Sequence, residues 1–257
     1  TLNAGAAGLN TAVGDDAGTA VTTGIRNTLV GAAAGDAIQD ADENEAFGYA
    51  ALSTNVLGSA SVAVGSFALN LQNPASAVTM YNTAVGNGAG AGVTTGIQNT
   101  LIGGLAGDGM TTAGNNNTAL GFEALQASTA SNNTALGYQA GLVIGTGFAN
   151  TIIGTVAGDA LTTGSVNTAV GYSALGAETD GTGNVAMGED AQGLSNGGVN
   201  NTCIGTTAGY QISTGANNLA LGHDASRSGS PGGALTTGSN QICLADENIT
   251  HAYVQVD

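Results

Sequence analysis

The sequence predicts an all-β repeat fold, a parallel β-roll or β-solenoid wound in coils of about 17 residues. Three observations carry that expectation. A nine-residue phrase recurs along the chain: residues 10–18 read NTAVGDDAG, 82–90 NTAVGNGAG, 133–141 NTALGYQAG, 150–158 NTIIGTVAG and 167–175 NTAVGYSAL. The glycine closing the first half of the phrase marks thirteen units, at Gly14, Gly31, Gly48, Gly65, Gly86, Gly103, Gly121, Gly137, Gly154, Gly171, Gly188, Gly205 and Gly222. These stand 17 residues apart, except for steps of 21 after Gly65, 18 after Gly103 and 16 after Gly121; a short, near-constant period marks a solenoid array. The third observation is composition. With 44 Gly, 4% aromatics, no Trp and 8% charged residues, against about 25% charged in an average domain, the chain suits a thin, tightly wound structure. Its 42% hydrophobic content argues against disorder.

Within the unit, the residue before the anchor glycine is apolar in all thirteen copies, from Val13 and Val30 through Leu136 to Leu221. Two before it stands mostly Ala, with Leu29, Leu101, Ile152 and Cys203 as variants; three after it stands Ala in every copy, from Ala17 to Ala225. A position that accepts only Ala is closed by something packed against it. Four before the anchor stands Asn in twelve units and Ser61 in the other.

The run Asn-Thr-Ala-Val-Gly predicts a short strand with Thr and Val on one face and Asn, Ala and Gly on the other. Both faces are small or apolar, so both are expected to be covered, with the apolar residue as a core rung. The recurrent Asn and Gly suit corners, where each tolerates positive φ and stacked Asn side chains can hydrogen-bond along the axis. The second half of the unit, as at Thr22-Thr23-Gly24, Thr94-Thr95-Gly96 or Thr162-Thr163-Gly164, is expected to form a second strand and turn. Thirteen such coils at about 4.8 Å give a rod of roughly 60 Å. A single chain of flat coils has a thin core, which points to association, with an elongated homotrimer as the natural solution.

Residues 1–238 are expected to form the array and 239–257 a degenerate last coil and exit strand, most regular over 252–256, leading to a downstream domain. Two insertions break the period, near Pro74 and near Pro231, the only two prolines; in an array such insertions map to outward loops that are tolerated additions or partner contacts. The chain begins Thr1-Leu2-Asn3, as a fragment or processed product would.

The charge narrows the partners. Eighteen acids against Arg26 and Arg227 give a formal charge of −16, which disfavours nucleic acid and anionic membrane surfaces. No apolar run is long enough to span a bilayer. Cys203 and Cys243 read as buried thiols at different phases of the repeat, about two coils and so roughly 10 Å apart, beyond disulfide reach. The acids at Asp15-Asp16, at residues 40–45 and at Glu189-Asp190 lack the spacing of a calcium loop, and Asp36, Asp108 and Asp159 fall on non-adjacent coils. His223 and His251 have no triad or zinc partners at a recognisable spacing, and the Gly-rich phrases lack the Lys and helix of a phosphate loop. Tyr49, Phe122, Tyr138 and Tyr172 follow anchor glycines, and Phe122 and Tyr138 are expected to stack on neighbouring coils. No catalytic, cofactor or metal site is predicted, and no enzyme activity.

The phrases NTALGYQAG and NTAVGYSAL, followed by SNQICLADENITHAYVQVD over residues 239–257, resemble the collar and shaft regions of bacteriophage tail fibres and tailspikes. In that family a segment like residues 241–256 lies just upstream of an intramolecular chaperone that trimerises the fibre and cleaves itself off. The repeat is also similar to the heads of trimeric autotransporter adhesins, left-handed parallel β-rolls whose unit is somewhat shorter. The resemblance implies a left-handed roll, an intertwined or side-by-side homotrimer, serving as the host-contacting shaft of a virion tail fibre, with a receptor such as a polysaccharide or an outer-membrane component; a bacterial surface adhesin head is the alternative. A third reading, an ice- or glycan-binding solenoid, is weakened by the expectation that the nine Thr of the Asn-Thr pairs share a buried face.

Overall fold

Each repeated phrase contributes three residues to a strand, and the strands stack one coil on the next. The computed structural model describes residues 9–111, 114–229 and 233–244, and the architecture in them is a parallel β-solenoid without a helix. Fourteen strands, from Thr11–Val13 to Ile242–Leu244, form one sheet in unbroken chain order. Pairing is in register throughout: Thr134 lies on Thr151, Ala135 on Ile152 and Leu136 on Ile153. The long steps do not slip it. Val62 still pairs with Thr83, and Leu219 with Ile242. The extra residues after Gly65 leave the stack as an exposed bulge over 75–77 beyond the buried Pro74, as the insertion predicts. Pro231, His251 and the exit strand over 252–256 lie outside the described residues.

The strand ends where the anchor glycine turns the chain. Gly137 has φ +141, and a Cβ there would sit 2.5 Å from the Gly154 carbonyl oxygen on the next coil. Every anchor glycine stacks on the next in this way, so a side chain would wedge two coils apart. A type II turn follows: Ala34 N–H donates to Gly31 O at 3.3 Å with Ala33 at φ 54. Left-handed residues recur two and four positions after the anchor and five before it, for example Ala50, Leu52 and Glu43. This differs from the expected position of the corner. The buried Asn of the phrase is not left-handed; the residue preceding it is, as at Asn116 and Asn132.

The expected second strand does not form. Residues 22–23, 94–95 and 162–163 are bends, and pairing on this side is confined, among the described residues, to Gly58–Ser59 with Val78–Thr79 and a single bridge from Val199 to Ala216. The turns nevertheless keep a ladder along the axis, as in Ala33 N–H to Asp15 O at 2.8 Å and Gly35 N–H to Ala51 O at 2.9 Å, so the buried backbone is satisfied.

Inside the coil runs an asparagine ladder. Asn150 donates its backbone N–H to Asn133 Oδ1 at 3.0 Å, and its own Nδ2 donates to Gly164 O at 2.9 Å; the pattern repeats at Asn167, Asn184 and Asn201. Ser61 breaks the ladder, and the insertion repairs it. Buried Gln72 donates Nε2 to Ser61 Oγ at 3.1 Å and accepts from Asn82 Nδ2 at 2.9 Å.

The core is filled by the middle strand residue, the invariant Ala and the residues four and seven after the anchor. The two variable positions exchange volume. Where the strand carries Leu29, Leu101, Ile152 or Cys203, the residue four after the anchor is Gly35, Gly107, Gly158 or Gly209; where it carries Ala46, Ala63, Ala119 or Ala169, that residue is Leu52, Leu69, Leu125 or Leu175. A Cβ on Gly35 would meet Leu29 Cδ2 at 2.7 Å. In these eight coils one of the two arms supplies the larger side chain at this point; Ala12, Ala84 and Ala135 stand opposite Gly18, Gly90 and Gly141, with neither position large.

That exchange is testable. Leu29→Ala should cost about 2–5 kcal/mol by leaving a cavity, and Gly35→Leu alone should destabilise by overpacking. The double variant should recover most of the loss in chemical denaturation, because Leu52 shows that leucine occupies the left-handed position. Additive losses would disprove the exchange.

Candidate interaction face

The strand alternates, so the residues flanking the buried middle one point away from the core. They do so uncovered. Val13 is 58% exposed and Leu136 41%, with Phe47, Val64, Leu120, Met187, Ile204, Leu221 and Leu244 comparable; the threonines three before the anchor, from Thr11 to Thr202, are half-buried or exposed. This corrects two expectations. The invariant apolar residue is not a core rung, and the Thr that share its face are not buried. The physical reason is the coil's direction of closure: it closes on the side of the Asn and the middle strand residue, which leaves the two flanking side chains outside.

The result is a straight face, fourteen strands long, with one Thr column and one aliphatic column. Thr is replaced only by Glu45, Val62, Val185, Leu219 and Ile242. Aromatics border it at Tyr49, Phe122, Tyr138 and Tyr172, all exposed. Phe122 and Tyr138 stack as expected, 5.8 Å apart and 11° from parallel; Tyr49 meets Phe67 edge-on at 5.2 Å. Glu45 is the one ionisable residue among the outward side chains of these strands.

Apart from Glu45 the charges lie elsewhere, and several are engaged locally. Asp40 accepts from the hydroxyls of Thr22 and Thr23 at 2.7 Å each, and those bonds hold its carboxyl below the usual range. Burial pushes Asp36, Asp108 and Asp159 up. Asp224 accepts from Thr207 and from Arg227 at 2.6 Å, which lowers it, the Thr207 bond first; His223 stands 3.5 Å away, and Arg227 lies over the Tyr210 ring at 5.4 Å. Among the described residues no group of three or more His, Cys, Asp and Glu could hold a metal ion, and no helix is long and apolar enough to cross a membrane.

The cysteines need a correction as well. Cys203 pairs in register with Ala220, and Ala220 with Cys243, so they occupy one column two rungs apart rather than different phases. The 23-residue step before the last strand hides this from counting. Ala220 keeps the thiols apart, and burial pushes Cys203 up to about 12.

One buried carboxylate escapes notice in the sequence. Glu178 is fully buried in the column that elsewhere holds Ile38, Met110, Ile144 and Leu161. Its Oε1 accepts N–H groups from Gly181 and Gly197 at 2.7 Å, Thr179 at 3.1 Å and Asp180 at 3.3 Å, and its Oε2 accepts from Ser195 Oγ at 2.5 Å. The group closes a local gap in the coil-to-coil ladder and has no route to solvent. Its sequence signal is weak, because the position seven after the anchor is also polar at Asn55, Gln72, Ser128 and Ser195.

Comparison of the chain with protein-family models, with curated proteins and with solved structures returns no match.

Two outcomes follow from this geometry. Glu178→Leu should lower stability by about 3 kcal/mol or more, because the N–H groups of Gly181, Gly197, Thr179 and Asp180 lose their acceptor; a neutral result would refute the structural role. Cys203 should resist thiol reagents at pH 8 in the native protein and react on unfolding.

Proposed function

We propose that the chain is a non-catalytic shaft segment of an extracellular fibre. It is a left-handed β-roll in which three copies pack side by side over the Thr-aliphatic face and present their outer surface to a host receptor such as a polysaccharide or an outer-membrane component. The observation that carries this reading is the uncovered apolar column itself. A face about 60 Å long and about 10 Å wide offers on the order of 600 Å² per copy, near the roughly 800 Å² per partner of a standard interface. A chain of charge −16 that keeps this face almost uncharged supports contact with something apolar. The mechanism is mechanical: in-register coils make a stiff rod, and three copies give avidity to weak individual contacts. The Tyr and Phe bordering the face and the bulge over 75–77 are the exposed features suited to a partner.

The phrases shared with phage tail fibres favour a virion fibre. A bacterial trimeric adhesin head of the same architecture is the alternative, separated by the parent gene downstream of Asp257: a chaperone supports the fibre, a coiled-coil stalk and membrane barrel the adhesin. The half-exposed Thr column gives the water-ordering reading a specific basis, since a flat, regular Thr array in contact with solvent is what such a surface needs.

Sedimentation velocity should give a particle near three times 24.6 kDa. A monomer at all concentrations, with measurable thermal hysteresis, would replace this reading with the water-ordering one.

A further inference from the structure

One rung of the face differs in kind. Among the outward residues of the fourteen strands, Glu45 alone is ionisable. It occupies the Thr column, in register with Thr28 on one side and Val62 on the other, and its outward neighbour on the strand is Phe47.

We propose that Glu45 makes association over this face pH-dependent, the copies binding more tightly once its carboxyl carries a proton. The inference rests on the self-association reading above. A half-buried carboxylate loses its remaining water when a second apolar face covers it, and an ion so covered costs several kcal/mol unless it is paired. The surrounding charges offer no relief. Glu43 carries the same sign, and its Oε1 holds the Arg26 guanidinium at 2.8 Å; Asp42 accepts from Ile25 N–H and Asp40 from Thr22 and Thr23. The strands packed on either side, Thr28–Val30 and Val62–Val64, bring no ionisable group. Burial and then Glu43 already push the Glu45 carboxyl up in the single chain. In a parallel assembly the Glu45 of every copy lies at one level, so like charges approach one another as well. Protonation removes both costs.

The sign follows. Covering the group raises its pKa further, so association takes up protons and strengthens as pH falls, by up to one proton per copy. The fall in net charge on acidification strengthens association of any variant alike, so the difference between variants isolates Glu45.

Sedimentation equilibrium of the full chain at pH 7.5 and pH 5.0 tests this with wild type, Glu45→Gln and Glu45→Thr. Threonine is the residue at nine of the rungs, so the second variant guards against a folding defect. At pH 7.5 both variants should associate about tenfold more tightly than wild type, the equivalent of a pKa change of about one unit, and at pH 5.0 the three should converge. Equal association of all three at pH 7.5 overturns the role of Glu45 and leaves self-association standing. Monomers under every condition overturn the reading of the face, and this inference with it.

Discussion

The structure depends on one constraint: each coil lies on the next without a change of register. Residues 17 apart become direct neighbours at roughly 4.8 Å, so each column must hold side chains compatible with copies of themselves. Glycine at the strand end meets this because two backbones touch there, as Gly137 does with the Gly154 carbonyl. Asparagine meets it differently, since one amide both donates and accepts and a stack of them closes on itself. The repair at Ser61 by Gln72 shows that the chemistry, more than the residue, is what the column requires.

The same constraint explains where strain sits. Left-handed residues recur at equivalent points of successive coils, many of them not glycine, each costing of order 1 kcal/mol alone. Coil-to-coil hydrogen bonds through the turns hold these conformations in place. The turns in return bring the residue four after the anchor against the strand's middle residue, where a larger and a smaller residue exchange places in eight of the thirteen coils. Glu178 is the limiting case, a buried charge accommodated by backbone donors that the local coil geometry leaves over.

Polarity is divided along the length of the rod. Closure on Asn and Ala turns Thr and the aliphatic column outward, and the acids are placed on other edges, tied to hydroxyls and to the few cations. A face so uniform is suited to extended contact along the rod, and its single carboxylate is therefore a point of control.

Much of this was legible in the residues. The period, the parallel stacking, the invariant Ala, the Asn ladder and the Phe122–Tyr138 stack all follow from what a column of identical residues can do. The volume exchange was also legible, since Leu29 and Gly35 vary together against Ala46 and Leu52 within one chain. Three features were not. Alternation tells that Thr and Val share a face but not which face closes, because small and apolar residues line both. The absent second strand reflects bends at residues 22–23, 94–95 and 162–163 that the Thr-Thr-Gly phrase does not advertise. The cysteine column was concealed by a 23-residue step that only the strand pairing resolves. The sequence by itself determined the repeat and its columns, since these are local and periodic. Only the tertiary structure decided which columns are buried, because the inside of a coil is defined by how the chain closes on itself.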